Sequence, residues 1–226
     1  MNESTNPAAR TVNQLWQDTQ LMTLMFNDEL PNGTLGPTGK AHQKGVIGFQ
    51  ASSNTGFYLM HSTPGWAKTI DTPNIYDSDI YGQHFFCVSF NQTQLETLGK
   101  HMYVTRPFIY QNTFSLSNAT YPYFYSVINL LYNSTNSTIY QKLYSNGGQE
   151  FDLIAKNCQA SSQLWSQVSD FFNNSFKVET WLRDSSSVPD CLGNKVELIG
   201  TLKFCSNGTN CTTFIETQDH SKWGVN

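Results

Sequence analysis

Charge is scarce in this chain. Only 13% of its residues are Asp, Glu, Lys or Arg, and the 13 basic ones are scattered rather than striped, so no ready-made basic face offers itself to a polyanion. No run of 18 apolar residues occurs, and Met1-Asn2-Glu3-Ser4 opens no apolar signal segment, so neither a membrane span nor a leader is read. The five cysteines, Cys87, Cys158, Cys191, Cys205 and Cys211, include no CxxC pair, and no His stands at zinc-finger spacing, which argues against a structural zinc site. Disulfides are the better reading. Cys205 and Cys211 flank the short polar loop SNGTN and can close it, and the odd count leaves one thiol over. A Gly-x-Ser-x-Gly elbow, a P-loop, a dinucleotide fingerprint and a His-Glu-x-x-His pair are all missing, and Asp77-Ser78-Asp79 alone is not a metal site.

What the chain does have is apolar mass and neutral polarity. In 226 residues, 38% hydrophobic and 14% aromatic content suffices for the core of one large domain or two smaller lobes. Polarity is carried by Asn, Gln, Ser and Thr. Asn-x-Ser/Thr sequons begin at Asn2, Asn32, Asn91, Asn118, Asn133, Asn136, Asn173, Asn207 and Asn210, which points to the secretory pathway and N-linked glycans. The formal charge is -4, and protonating all five His takes it to about +1, so acidification favours approach of a nucleic acid.

Periodicity predicts a mixed α/β chain. Val12, Leu15, Trp16, Leu21, Met22, Met25 and Phe26 suit one amphipathic helix over 11–27, ended by Pro31-Asn32-Gly33. Apolar runs at 45–49 and 56–62, separated by Ser52-Ser53-Asn54-Thr55, predict an antiparallel hairpin. A buried strand is expected over 84–90, a short helix over 92–104, a helix over 158–172, and strands over 177–183, 196–204 and 212–216. The aromatic run at 121–125 reads as a buried cluster in preference to a base-stacking platform. Composition shifts most sharply between 106 and 150, a candidate boundary between lobes.

Two His-x-Lys triplets carry the chemistry: His42-Gln43-Lys44 in AHQKG and His220-Ser221-Lys222 in DHSKW. One imidazole can attack phosphorus, a second can protonate the leaving oxygen, and two ammonium groups can hold the anion. The first triplet is expected to enter the predicted hairpin. Asp219 is read as a turn cap, and His84 and His101 as structural histidines.

The strings KAHQKGVIGF, TGFYLMHSTP, YGQHFFCVSF and TQDHSKWGV follow one another in the order and approximate spacing of the deoxyribonuclease II family, which the chain resembles from about residue 11 to its end. The most specific of them are DHSKW and the HS-x-P element; after that Pro the family usually carries Phe-Pro two places on, where this chain has Trp66-Ala67. The resemblance implies a phospholipase D-like pseudodimer of two lobes, each a mixed sheet flanked by helices: residues 1–110 as the first, 111–150 as a polar connecting region, and 151–226 as an incomplete second. It implies an acid endonuclease that cleaves DNA through a phosphohistidine, leaves 3′-phosphates, and needs no metal or other cofactor. His42 and His220 would be catalytic, with Lys44, Lys222 and His61 binding the phosphate. Secretion or lysosomal residence is the expected location. The resemblance also implies further segments at both ends, the later one bearing a Gly-Asp-x-Asn-Arg element and a Cys, so that Cys87 and Cys191 lack partners here. Two rival readings are an inactive secreted glycoprotein of the same fold that acts as a binding or effector protein, and a phosphatidyl transferase.

Overall fold

A computed structural model describes residues 6–68, 81–132, 137–160, 163–180, 193–206 and 208–226. The chain is mixed α/β and divides into two compact units, Met1–Ser78 with Phe85–Ala160, and Asp79–His84 with Ser161–Asn226.

In the first unit, Asn6 caps helix α1 (Pro7–Gln17), its side chain accepting hydrogen bonds from the amides of Ala8 and Ala9, with Pro7 pre-set for the first turn. Strand β1 (Met22–Phe26) follows at once. The expected single helix over 11–27 is therefore corrected to a helix and a strand. The cause is that β1 is buried on both faces, so its MTLMF run loses the alternation that marks a strand and its apolar residues extend the helical pattern of α1.

The hairpin is found where predicted, as β2 (Gly45–Gln50) and β3 (Thr55–His61), and β4 (Phe85–Phe90) and β5 (Ile109–Asn112) complete an antiparallel sheet of order β4-β3-β2-β1-β5. That sheet is antiparallel throughout rather than mixed. Strand β4 also departs from the expected buried strand. It lies at the sheet edge, with Val88 and Phe90 inward and Phe86, Cys87 and Ser89 exposed, and His84 precedes it.

Side-chain alternation gives the sheet two apolar faces. Met25, Val46 and Leu59 pack with Val12 and Leu15 of α1 and with Trp66. Leu24, Phe26, Ile47, Phe49 and Tyr58 point the other way, onto α2 (Leu95–Thr105), α3 (Pro122–Ile128) and the hairpin of β6 (Thr138–Tyr144) and β7 (Glu150–Lys156). Residues 111–150, expected to connect lobes, thus supply the end of β5, α3, β6 and the start of β7 to this unit. Within 121–125 only Phe124 is fully buried, while Tyr123 keeps 38% of its surface exposed.

The second unit holds α4 (Leu164–Phe172), which starts later than the expected helix over 158–172. Its small sheet has the order β12-β8-β9, from β8 (Phe176–Glu179), β9 (Val196–Leu198) and β12 (Trp223–Val225), with β8 and β9 parallel. A separate hairpin joins β10 (Thr201–Ser206) to β11 (Asn210–Ile215), and its facing residues Cys205 and Cys211 form the expected disulfide. Cys87 and Cys158 are free thiols, and Cys191, Arg183 and Asp77-Ser78-Asp79 lie outside the described residues.

Two substitutions test the packing of α2. A Cβ at Gly99 would stand 2.4 Å from the backbone N of Phe124, so Gly99→Ala should destabilise the protein. Overpacking of about 1–3 kcal/mol exceeds the roughly 1 kcal/mol gained in helix propensity, and the melting temperature should fall. His101, also on α2, has Nδ1 shielded from solvent with no hydrogen-bond partner among the described residues, and desolvation lowers its pKa to about 4. Between about pH 6.5 and 4 the unfolded chain takes up this proton and the folded chain does not, so stability falls as pH drops through that window. The loss is on the order of 1–3 kcal/mol, and His101→Gln should shrink the gap between urea unfolding free energies at pH 7 and pH 4.5.

Candidate active site

The β2–β3 pairing brings the first triplet and the HSTP element together. Gly45 pairs with Met60, so Lys44 stands opposite His61, whose amide donates to the Lys44 carbonyl at 3.3 Å. Residues directly opposite across two strands share a face, which is why KAHQKG and HSTP, distant by nearly 20 positions, lie side by side. Gln43 points to the other side and anchors the triplet. Its amide donates to the Tyr58 hydroxyl at 3.1 Å and its carbonyl accepts from Thr105 Oγ1 at 2.8 Å.

Asp28, just past the end of β1, supplies a carboxylate that sequence reasoning missed. Asp28 Oδ2 lies 2.9 Å from His42 Nε2, and Oδ1 accepts a hydrogen bond from Lys44 Nζ. The Lys44 side chain is almost wholly buried at 6% exposure, whereas the His42 ring is 64% exposed. Burial raises the Asp28 pKa, but the hydrogen bond from His42 and the charge of Lys44 outweigh it and hold the carboxyl well below the usual range. Burial lowers the pKa of Lys44, and Asp28 opposes that shift. Asp28 therefore stays ionised under acidic conditions and ties an exposed imidazole to a buried ammonium.

Asn27 fixes the position of Asp28. Fully buried, it donates to the carbonyls of Thr63 at 3.2 Å and Trp66 at 2.6 Å, while its own Oδ1 accepts the Glu29 amide at 3.1 Å. The HSTPGW loop is thereby tied to the end of β1. His61 is buried, with its ring edge-on to Trp66 at 4.9 Å and stacked on Phe85 at 6.0 Å. This aromatic setting fixes its orientation.

The second unit presents His220 differently. The Gly82 amide donates to the Gln218 carbonyl at 2.7 Å, and the His220 amide donates to the Gly82 carbonyl at 2.8 Å. A Cβ at Gly82 would meet Asp219 Oδ1 at 2.7 Å, so a side chain there would push the Asp219 carboxylate aside. The Tyr81 ring stacks on the His220 imidazole at 4.5 Å, with the two planes 12° apart. Asp219 Oδ1 accepts from both the amide and the hydroxyl of Ser221, which makes it the expected turn cap. Lys222, exposed, donates to the His220 carbonyl at 3.3 Å. His42, Lys44 and His61 thus belong to the first unit, and His220 and Lys222 to the second.

These features define the class: an α/β protein of two units, each of which carries one supported His-x-Lys triplet. Residues 1–226 match the family described as Deoxyribonuclease II, and the chain belongs to that family. It is 27% identical over 236 residues to deoxyribonuclease-2-alpha of Sus scrofa, covering 100% of this chain and 64% of that protein. It is 30% identical over 234 residues to cell death-related nuclease 6 of Caenorhabditis elegans, covering 100% and 61%, and 31% identical over 221 residues to a putative deoxyribonuclease-2 of Burkholderia pseudomallei (strain K96243), covering 89% and 59%. The chain spans about three-fifths of the length of these relatives.

Asp28→Asn should leave Lys44 buried without its counter-charge. The expected cost is about 3 kcal/mol, the low end for breaking a buried pair because Asp28 is itself partly exposed. Urea unfolding at pH 5 measures it, and a loss below about 0.5 kcal/mol would show that the pair carries no structural weight.

Proposed function

We propose that this chain carries the phosphodiester-cleaving chemistry of a metal-independent acid deoxyribonuclease, with DNA as its substrate. The observation that supports this best is the Asp28 carboxylate held between His42 and Lys44 in a chain of the deoxyribonuclease II family. His42 and His220 form the catalytic pair. Lys44, Lys222 and His61 bind the phosphate.

In this reading one imidazole attacks phosphorus, forming an N–P bond as the P–O5′ bond breaks, and the other imidazolium gives its proton to the departing 5′-oxygen. A water, deprotonated by that second imidazole, then attacks the phosphohistidine, and the product carries a 3′-phosphate. Asp28 serves as a positioning residue. By accepting the Nε2 proton of a neutral His42 it leaves the lone pair on Nδ1, and when His42 is protonated it compensates the charge. The scheme needs one imidazole neutral and one charged, so the rate passes through a maximum in pH and falls on either side.

The two units serve as the lobes of a phospholipase D-like pseudodimer, each contributing one triplet. Secretion or lysosomal residence is supported by the Cys205–Cys211 disulfide and by the exposed sequon residues Asn32, Asn118, Asn173 and Asn210. No helix among the described residues is long and apolar enough to cross a membrane.

The test is nicking of supercoiled plasmid at about pH 5 in chelator. Folded protein should convert plasmid to product with 3′-phosphate ends, and His42→Ala or His220→Ala should each slow conversion by about 1000-fold or more. Retention of nicking in either variant would overturn the assignment. DNA binding without turnover by the folded parent would favour the inactive binding protein.

A further inference from the structure

A row of lysines and tyrosine rings starts two residues before His42 in the first unit. Lys40 Nζ lies 4.7 Å from the centroid of the Tyr132 ring. Tyr132 packs against Tyr103 at 6.2 Å, Tyr103 meets Tyr123 edge to face at 5.3 Å, and Lys100 Nζ lies 5.9 Å from the Tyr123 centroid. Arg106 joins the Lys40 end, where its carbonyl accepts the Ala41 amide at 3.1 Å. Helix α2 supplies Lys100 and Tyr103, and Arg106 follows its last turn in the left-handed region at φ 59°.

Tyr103 and Tyr132 pack partly against the core, Tyr123 keeps 38% of its surface exposed, and Lys40 and Arg106 bring like charges together at one end. Burial lowers the pKa of Lys40, and the neighbouring Arg106 charge lowers it further. No carboxylate stands within salt-bridge distance of Lys40 or Lys100 among the described residues. Glu96, one helical turn before Lys100, is occupied at the start of α3, where it accepts the amides of Tyr123 at 2.8 Å and Phe124 at 3.3 Å. Cations interleaved with aromatic rings are the surface on which single strands bind, phosphates to the cations and unpaired bases to the rings. A duplex keeps its base faces stacked and cannot use the rings.

We propose that Lys40, Arg106, Tyr132, Tyr103, Tyr123 and Lys100 form a track for a single-stranded nucleic acid, running away from His42 and ending with an unpaired base against Tyr123. The assignment deepens the reading of His42 as part of a phosphodiesterase site and rests on it for the identity of the ligand. Lys40 and Arg106 hold the phosphates nearest the site, and Lys100 holds the one beside Tyr123.

Two readouts separate the track from the chemistry. The first is fluorescence anisotropy of a labelled oligothymidylate of about 10 nucleotides, titrated over a salt series in chelator, with a blunt duplex in parallel. The second is hydrolysis of bis(p-nitrophenyl) phosphate, a diester too small to leave the His42 neighbourhood. Tyr123→Ala should weaken oligothymidylate binding about tenfold and duplex binding hardly at all. The Lys40→Gln/Lys100→Gln double variant should lower the slope of log affinity against log salt by about 1.4, and both variants should hydrolyse the small diester at the parent rate. Unchanged oligothymidylate affinity and slope in both variants overturn the track while leaving a nuclease intact. Equal losses for duplex and single strand overturn the single-strand assignment, as does a parent that binds no oligothymidylate. A parent that binds through the track but cleaves neither substrate supports the track and sinks the nuclease reading alone. Thermal melts establish folding, and the paired Gln changes, at partly exposed positions, keep the test alive should Tyr123→Ala unfold.

Discussion

An ammonium taken almost completely out of water must find a negative charge, and in this protein Lys44 finds Asp28. The low-dielectric surroundings that penalise Lys44 also strengthen its attraction to the carboxylate, so the pair is stable only while both members remain charged. This requirement fixes the end of β1 against the start of β2. It also explains why Asn27 is fully buried and bonded to two carbonyls of the loop after His61, since a loose strand end would let water reach the pair. The carboxylate then has a second oxygen to spare, and His42 occupies it. An exposed imidazole thus takes its position from a buried charge it never touches.

The second His-x-Lys triplet is held in another way. His220 is held by main-chain bonds to Gly82 and by stacking on Tyr81, and the carboxylate beside it, Asp219, is committed to Ser221. The same three-residue pattern is therefore built in two ways, one by electrostatics and one by backbone pairing with an aromatic cover.

Most of the first sheet could be read from residues. Four turn-forming residues between two apolar runs gave the β2–β3 hairpin, and its register alone puts Lys44 opposite His61. Strand β1 was read as helix because burial on both faces removes the period of two on which the distinction relies. Strand β4 looked buried because an edge strand with exposed Phe86 and Cys87 has the composition of an interior one. Asp28 was invisible for a different reason. Asn-Asp-Glu after a strand is an unremarkable string, and only tertiary pairing of β1 with β2 puts that carboxylate beside the triplet. Tyr81 and Gly82 lay within a string that pointed to the family, but the string did not say that they clasp Asp219 and His220 from more than 130 positions away.

Acidity acts on these groups in opposite senses. Lowering the pH charges exposed imidazoles and moves the balance of the chain toward positive, which favours an anionic polymer. The Asp28 carboxylate, depressed well below its ordinary range, keeps its charge through the same change, so the His42–Asp28–Lys44 arrangement persists where the proposed chemistry operates. His101 responds the other way. Because its folded pKa is about 4, it resists protonation that the unfolded chain accepts, and the stability lost on acidification is lost in the packing of α2. This cost of acidification falls on α2, away from the histidines proposed to be catalytic. The helix that bears this cost also carries Lys100 and Tyr103 and ends at Arg106, so the cation–tyrosine row shares its element with the group that acid destabilises.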